Sequence, residues 1–274
     1  MKKSSLTRFL PVQSPILEQT NDEHYQYKEY QPSVDLASYV ACFWTVQFDG
    51  QSIKPHRIVP DGCVDLIFDL IDPTNSNAFL AGLMTDYALL SFRSPIKSFG
   101  IRFYSDSVSR LMRIPVSELT GNVSIHNLWG SGSQEMIDVM AEASNVQDQI
   151  HYTEGKLRGR IDGLGYRPES LFETSMYHLF SHQGVISTKE LAAIEHYSER
   201  TIRRAFKDEL GISPKEMIEL VRFQYLLQEF NQGGAQMMNI AGKYGFYDQS
   251  HFSNQFKRYY GLAPSRILEN RNSI

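Results

Sequence analysis

The sequence predicts an α+β protein of two domains: a β-rich N-terminal domain with helices over residues 1–165, and an all-α C-terminal domain over residues 166–274. Three observations support this prediction. Short segments rich in β-branched and aromatic residues dominate the first hundred residues, and helical patterns follow them. The last ninety residues contain an internal repeat. The length of 274 residues also fits two domains of ordinary size.

The segments that predict strands are separated by Gly, Pro, Asn and Asp, which favour turns. They are VACFWTVQF (40–48), CVDLIFDL (63–70), FLAGL (79–83), YALLSF (87–92) and SFGIRFY (98–104). From about Ser105 the pattern becomes helical. Gly and Pro interrupt it in the segment 163–170, which we expect to link the two domains. The amphipathic run 134–161 has two interpretations: helix packing between the subunits of a dimer, or packing on its own domain.

Composition and charge exclude several classes of protein. No apolar run approaches the roughly 18 residues that a membrane span needs, and the basic N-terminus lacks the apolar stretch of a secretory signal. Two cysteines, Cys42 and Cys63, make no disulfide framework, so we expect a cytoplasmic protein. Residues 1–182 contain 15 Lys and Arg against 21 Asp and Glu, whereas residues 183–274 contain 12 against 10. This asymmetry fits an acidic partner bound by the C-terminal part.

The repeat aligns apolar positions and turn residues in two copies. The positions matched fifty residues apart are Ile202 with Phe252, Phe206 with Phe256, and GISP (211–214) with GLAP (261–264). Upstream, Leu191-Ala192 recurs as Ile240-Ala241 only forty-nine residues on. The turn of the second copy therefore contains one inserted residue.

Each copy predicts a short helix, a tight turn and a longer helix. In the first copy, Ser187 and Glu190 form a capping box that begins a helix to about Ile194, and Ser198 caps a second helix to about Leu210. His196 occupies the turn.

In the second copy the short helix covers about 237–243, Gly245 suits a turn with positive φ, and Asp248 caps the helix that reaches Tyr260. Between the copies, Ser213 begins a joining helix to about Phe230. Such a helix is about 27 Å long, close to the roughly 34 Å between successive major grooves on one face of B-DNA.

On a helical wheel, each longer helix separates an apolar face from a polar one. The polar face of the first carries Arg200, Arg203, Arg204 and Lys207. That of the second carries Gln249, Ser250, Ser253, Asn254 and Lys257. Guanidinium groups bind guanine edges or phosphates, and amides and hydroxyls bind base edges. One polar helix face alone is ordinarily only solvated surface, so it is the matched repeat that favours DNA binding.

Two segments resemble the AraC/XylS family of bacterial transcription regulators. They are LAAIEHYSERTIRRAFKDELGISPKEMIELVRFQYLLQEF and IAGKYGFYDQSHFSNQFKRYYGLAPSRI, and the resemblance covers about residues 168–270. It implies helix-turn-helix motifs at about 188–210 and 237–260, and adds Thr201 to the DNA contacts. Many members have Arg where this chain has Asn254, and His196 replaces the usual turn glycine. The resemblance implies double-stranded DNA and RNA polymerase as partners.

The N-terminal half also resembles a known type of domain. PHRIVPDGCVDLIFDL, AGLMT and FGIRFY…IPVSELTGN…LW are similar to an uncharacterised (DUF6597-like) domain found before AraC-type DNA-binding domains. By analogy with the sensor domains of the family, we expect a cupin-like barrel that binds a small-molecule effector. The candidate ligand contacts are Trp44, His56, Phe68 and Phe103, although aromatic residues at strand spacing more often form the core.

Enzymatic and metal chemistry find little support in the sequence. His56, Asp61, Cys63 and Asp65 do not have a known zinc spacing, and the two carboxylates disfavour a reactive thiolate at Cys63. No nucleophile elbow, phosphate loop or dinucleotide fingerprint is present. We therefore predict no catalytic activity, metal or cofactor. Two alternatives to an effector-controlled regulator stay open: a DNA-targeted enzyme with a catalytic N-terminal half, and a regulator that needs no ligand.

Overall fold

The computed structural model describes residues 9–13, 23–51, 53–72, 74, 76–130, 132–232, 237–246 and 248–271. Its strands are β1 (Tyr25–Tyr30), β2 (Val40–Phe48), β3 (Lys54–Ile58), β4 (Cys63–Asp69), β5 (Asn77–Ala81), β6 (Ala88–Phe92), β7 (Ile96–Tyr104) and β8 (Asn122–Ser124). Its helices are α1 (Ser105–Met112), α2 (Ile125–Trp129), α3 (Gly132–Glu142), α4 (Val146–Asp162), α5 (Leu171–Ser181), α6 (Thr188–Ile194), α7 (Glu199–Leu210), α8 (Pro214–Asn231), α9 (Met237–Lys243), α10 (Gln249–Tyr260) and α11 (Pro264–Arg271). A 3₁₀ helix, Val116–Glu118, precedes β8.

The predicted α+β class, with a β-rich N-terminal domain and a helical C-terminal domain, is confirmed. Six strands form one antiparallel sheet in the order β1-β2-β7-β4-β5-β8, and β3 pairs with β6 in a separate antiparallel ribbon. The strands thus lie in two sheets, whose hydrogen bonding is not closed into one barrel among the residues described. Ring contacts such as Tyr25–Phe92 and Tyr27–His56 join the large sheet to the ribbon.

The two faces of the large sheet pack against different partners, because successive side chains of a strand point to opposite sides. One face contributes Phe43, Phe68, Phe99 and Phe103, all at most 1% exposed, to the main core shared with the helices. The other face, toward the ribbon, forms a smaller apolar cluster that includes Trp44. Phe68 and Phe103, two of the predicted ligand contacts, therefore lie in the core that the large sheet shares with the helices.

The C-terminal helices begin where their capping residues predict. Ser187 and Glu190 form the capping box of α6, Ser213 and Glu216 form that of α8, and the Asp248 carboxylate accepts a hydrogen bond from the His251 N–H at 2.7 Å. These local predictions are confirmed to the residue.

The turns of the two repeat copies are also as predicted. His196 has a φ of 58° and Gly245 a φ of 74°, so both copies turn through the left-handed region at the same position. Histidine adopts this conformation at some cost, and the rest of the motif holds it there.

One continuous apolar core extends through both domains. The segment 9–13 lies at their junction: the Phe9 ring is 5.5 Å from the rings of Phe180 and Tyr225, and the Val12 N–H donates to Gln224 Oε1 at 2.7 Å. Residues 165–170, between α4 and α5, form neither helix nor strand. The linker over 163–170 and the boundary at 165/166 stay predictions.

The amphipathic run after residue 132 packs within its own chain. Met136, Ile137 and Met140 of α3 and Ile150 and Leu157 of α4 are all buried in the single chain. Packing of this run on its own chain is thus observed, and packing between subunits stays a prediction. Over the described ranges, none of the helices combines the length and apolarity needed to cross a membrane.

Candidate nucleic-acid interface and ligand cavity

Helix α7 exposes a basic face and buries the opposite one. Ile202 and Phe206 are fully buried, and the Phe206 ring contacts Phe172 edge-on, with ring centres 5.3 Å apart. The exposed side chains are those of Arg200, Arg203, Arg204 and Lys207, while Thr201 is half-buried. This arrangement fixes the helix to its domain and turns four cations to solvent.

The four basic side chains differ in whether they already form a hydrogen bond or an ion pair within the chain. Arg203 Nη2 donates to Glu199 Oε2 at 2.6 Å, and Lys207 Nζ donates to the Gly211 carbonyl at 2.7 Å. Arg200 and Arg204 have no hydrogen-bond or ion-pair partner within the part of the chain that the structure describes. These two guanidinium groups can therefore bind an incoming acceptor without first breaking an existing contact.

Helix α10 has the same anchors and a different exposed face. Phe252 and Phe256 are fully buried, and the rings of Phe256 and Tyr259 contact Phe223 of α8 at 5.4 and 5.1 Å. Exposed on the other side are Gln249, Ser250, Asn254 and Lys257, with Ser253 half-buried. This face offers hydrogen-bonding groups and less charge than the face of α7.

Both of these helices end at a glycine that faces the N-terminal domain. Gly211 after α7 and Gly261 after α10 have φ values of 76° and 82°, and they are equivalent positions of the repeat. A Cβ at Gly211 would lie 3.5 Å from Ser117, and one at Gly261 would lie 2.5 Å from Arg57 Nη1 and the Tyr87 ring. The N-terminal domain thus contacts both repeat copies at the same place.

Hydrogen bonds reinforce these two contacts. At the end of α7, Ser109 Oγ donates to Glu209 Oε2 at 2.7 Å. At the end of α10, Arg57 Nη1 donates to the Tyr260 carbonyl at 2.8 Å, and Arg258 Nε donates to Asp86 Oδ1 at 2.9 Å. Sequence reasoning missed these residues, because each pair is at least one hundred residues apart and no local pattern marks it.

A cavity of about 460 Å³ lies between the large sheet and the ribbon. Its wall is mostly apolar, with contributions from Val46, Ile58, Ile67, Phe79, Met84, Leu90 and Phe92. The polar groups that line it include Gln13, His56, Asp61, Asp65, Asp69 and Arg102. Of the four predicted ligand contacts, Trp44 and His56 line this cavity, whereas Phe68 and Phe103 do not. The volume is typical of small-molecule sites.

Trp44 has a fixed position in the cavity wall. Its Nε1–H donates to Asp65 Oδ1 at 2.9 Å, and its ring lies directly over Gly100 of the neighbouring strand β7. Any side chain at Gly100 would occupy the space of the indole, so glycine is required by this close approach.

A buried ion-pair network forms the polar part of the cavity. Arg102 is 3% exposed, and its Nε lies 3.1 Å from both Asp65 Oδ1 and Asp61 Oδ2. Its Nη2 donates to Asp65 Oδ2 at 3.3 Å, and its Nη1 donates to the Tyr27 hydroxyl at 3.4 Å and lies 3.5 Å from Glu29. Every guanidinium nitrogen of Arg102 thus has an acceptor.

Burial shifts the titration of the groups around this network. It raises the pKa of the Asp61 carboxyl, against the opposing effect of the Arg102 charge. It lowers the pKa of His56 to about 4, with a further contribution from Arg102, so the imidazole is neutral at pH 7. Burial also raises the pKa of the Cys63 thiol well above its usual value, which keeps the thiol protonated and unreactive.

The arrangement of possible metal ligands and of the two cysteines is as follows. Among the residues that the structure describes, no group of three or more His, Cys, Asp or Glu side chains is arranged to hold a metal ion. Cys42 and Cys63 are on β2 and β4, which lie on either side of β7, so their α-carbons are too far apart for a disulfide.

Two protein-family models match separate parts of the chain. Residues 191–270 match a helix-turn-helix domain family, and residues 28–124 match a domain of unknown function, DUF6597. The chain therefore carries a helix-turn-helix domain behind a DUF6597 domain, and the curated relatives that it matches include HTH-type transcriptional regulators.

Individual relatives match mainly the C-terminal part. The uncharacterized HTH-type transcriptional regulator YidL of Escherichia coli is 36% identical over 84 residues, which are 31% of this chain and 28% of that protein. The HTH-type transcriptional activator RhaS of Klebsiella pneumoniae is 30% identical over 32% of each chain. This chain thus spans about a third of the length of these relatives. The solved structure of ToxT from Vibrio cholerae is 16% identical, with a TM-score of 0.44, over 90% of this chain and 99% of that one.

Proposed function

We propose that the protein is a sequence-specific DNA-binding transcription regulator that inserts α7 and α10 into adjacent major grooves and is modulated by a small molecule in the N-terminal domain. The observation that carries the proposal is the pair of exposed polar faces on α7 and α10. The 18-residue helix α8 joins the two motifs, and eleven of its residues are buried. A helix of this length spans about 27 Å, close to the groove spacing of about 34 Å.

The proposed DNA contacts divide by chemistry. Arg200, Arg203 and Arg204 suit guanine edges or phosphates, and Lys207 suits phosphate. Gln249 and Asn254 have the side-chain amides that bind adenine in two hydrogen bonds, while Ser250, Ser253 and Lys257 suit base edges or backbone. Thr201 completes the set, because its hydroxyl lies at the start of α7 near the expected base contacts.

The ribbon provides a route from the cavity to DNA. His56 and Ile58 of β3 line the cavity, whereas Arg57 between them points to the opposite side and binds the end of α10. A ligand that favours one arrangement of the ribbon will shift the population of positions available to α10. The ligand must bind the two arrangements with different affinities, because equal binding shifts nothing.

Three further parts of the proposal rest on the family resemblance. The regulator acts in the cytoplasm, and the DNA-bound form acts through RNA polymerase. Dimerisation stays a prediction, which sedimentation of the purified chain at micromolar concentrations tests.

Selection of bound sequences from random duplex DNA by the full chain, followed by salt titration on the selected site, tests the proposal. We expect two short half-motifs whose centres are about one helical turn apart. The same selection is made with the double variant Arg57→Ala/Asp86→Ala, in which the ribbon no longer holds α10. If neither protein enriches any sequence and both show only salt-sensitive, nonspecific binding, the proposal is wrong.

A further inference from the structure

No cationic group among the described residues that line the cavity is free to bind an anion. Among the described residues that line it, Asp61, Asp65 and Asp69 carry carboxylates, and Arg102 is the one guanidinium. All three guanidinium nitrogens are already bonded, and the remaining basic group, His56, is neutral at pH 7 because burial lowers its pKa to about 4. An anionic ligand would therefore face carboxylates in a largely apolar cavity, where like charges repel more strongly than in bulk water.

Aromatic rings surround the carboxylates. The rings of Tyr27 and Trp44 stack with centres 6.3 Å apart, and those of His56 and Phe92 stack at 5.3 Å. Aromatic faces attract cations that lie within about 6 Å of the ring centre, and indole does so most strongly. Because Asp65 and Gly100 hold the Trp44 ring in place, its face is organised before any ligand arrives.

The environment of the Asp61 carboxylate also favours the binding of a cation. Its carboxylate accepts hydrogen bonds from Gln13 Nε2 and from the Cys63 N–H, both at 2.9 Å, yet burial still raises its pKa. Asp61 and Asp65 share a single guanidinium, so the network holds more carboxylate than cation. A second positive charge in the cavity would offset this imbalance.

The rest of the wall is apolar. Ile58 and Leu90 of the ribbon face Ile67 and Phe79 of the large sheet across the cavity. A ligand that fills about 460 Å³ must therefore combine one charged group with a hydrocarbon part.

We propose that the cavity binds a small amphipathic organic cation, such as an alkylated amine or quaternary ammonium compound, with the charge near Trp44 and Asp65 and the hydrocarbon against Ile67 and Leu90. The proposal deepens the effector response proposed above and rests on it for the consequence at DNA. Binding itself involves the N-terminal domain and is measured without DNA.

Three probes of equal chain length and different charge test the inference by calorimetric titration of the full chain: octyltrimethylammonium, octanoate and 1-octanol. We expect saturable binding of the cation, at least about tenfold tighter than that of octanoate. Equal or tighter binding of octanoate, or no saturable binding of the cation at millimolar concentration, would overturn the inference.

Two variants locate the cation. Asp65→Asn should weaken octyltrimethylammonium binding by about tenfold and leave 1-octanol binding unchanged. Asp72→Asn is the matched control, because it removes the same charge from an exposed loop outside the cavity. Trp44→Phe keeps a ring and all charges of the network, so it tests the cation–ring contact if Asp65→Asn fails to fold. Unchanged cation affinity in folded Asp65→Asn or Trp44→Phe would contradict the proposed position.

A DNA measurement separates the two proposals. Octyltrimethylammonium should change the affinity of the chain for its selected duplex, and the Asp65→Asn variant should lose this response. Tight binding of the cation with no change at DNA would refute the effector role proposed for the cavity and leave the ligand class intact. Failure of cation binding, with a selected DNA site in hand, would refute the ligand class alone.

Discussion

The two helix-turn-helix motifs share their scaffold and differ in the face that they present. Each buries two aromatic or aliphatic anchors four residues apart, Ile202 and Phe206 in α7, Phe252 and Phe256 in α10. Yet α7 turns three arginines and a lysine to solvent, whereas the corresponding face of α10 carries mostly amides and hydroxyls. The two motifs thus share one fold but expose different chemical groups. We expect the first motif to supply more of the affinity for DNA and the second motif to contribute more to the sequence preference.

The two motifs also contact different parts of the N-terminal domain. The end of α7 contacts Ser109 and Ser117, which belong to the helical part of that domain. The end of α10 contacts Arg57 and Asp86 of the ribbon region, next to the cavity wall. Control by a ligand should therefore fall mainly on the second motif.

The largest expected effect is at α7. Arg204→Ala should reduce the affinity for the selected site by about 1–3 kcal/mol, whereas Arg203→Ala should cost less, because Arg203 must first leave Glu199. Fluorescence anisotropy on the selected duplex measures both, with exposed Arg93→Ala as the charge-matched control. If Arg204→Ala binds like Arg93→Ala, then α7 does not supply the affinity and the comparison fails.

The two equivalent glycines give the next largest effect. Gly211→Ala and Gly261→Ala both place a side chain at positive φ, which costs about 1–2 kcal/mol of stability. Only Gly261→Ala also displaces Arg57 and Tyr87, so its free energy of unfolding should fall further than that of Gly211→Ala. Urea denaturation of both variants measures the difference. Equal losses in the free energy of unfolding would mean that the contact with Arg57 and Tyr87 does not make Gly261 less tolerant of a side chain than Gly211.

Substitution of Lys257 tests whether this charge on α10 contacts phosphates or a particular base. Lys257→Ala should weaken binding to all duplexes about equally and reduce the slope of log K against log salt by about one unit. Titration of specific and random duplexes over a range of salt concentrations provides the measurement. A loss confined to a single base position would instead make Lys257 a base contact, and the second motif would depend on charge for its sequence preference.

The smallest effect concerns the exposed pair between Arg258 and Asp86. Asp86→Asn releases Arg258, and a surface ion pair is worth only about 0.2–1 kcal/mol. We expect nonspecific DNA affinity to rise by no more than about fivefold. Asp72→Asn, which frees no arginine, serves as the comparison. A decrease relative to it would show that this contact positions α10 for DNA and does not restrain it.

The success of the sequence predictions follows the range of the interactions involved. Capping residues act over three or four positions, so Ser187, Ser198 and Asp248 locate the starts of their helices, and the repeat reveals the two motifs. Because side chains alternate along a strand, the sequence predicts that Phe43 and Trp44 lie on opposite faces of the sheet. It does not show which of the two faces the cavity, because both faces of the large sheet are covered by apolar residues. Hence the sequence pattern alone does not show that Phe68 belongs to the core shared with the helices.

The polar network of the cavity, in contrast to the helix caps, depends on residues that are far apart in the sequence. Arg102, Asp65 and Glu29 come together only when β1, β7 and β4 are in register, over separations of 37 and 73 residues. In the sequence, Asp61 precedes the strand predicted over residues 63–70 and Asp65 lies within it. Their relation to a buried guanidinium depends on the complete sheet, so local pattern cannot supply it.

The segment 9–13 has a consequence for the order of events during synthesis. Phe9 and Val12 are synthesised more than two hundred residues before Gln224 and Tyr225, against which they pack. At about 5–20 residues per second this is a wait of roughly 10–40 s. During that time Phe9 lacks the part of its burial that Tyr225 provides. Closure of this segment over α8 therefore comes late in folding, and a nascent chain that stops before α8 cannot complete it.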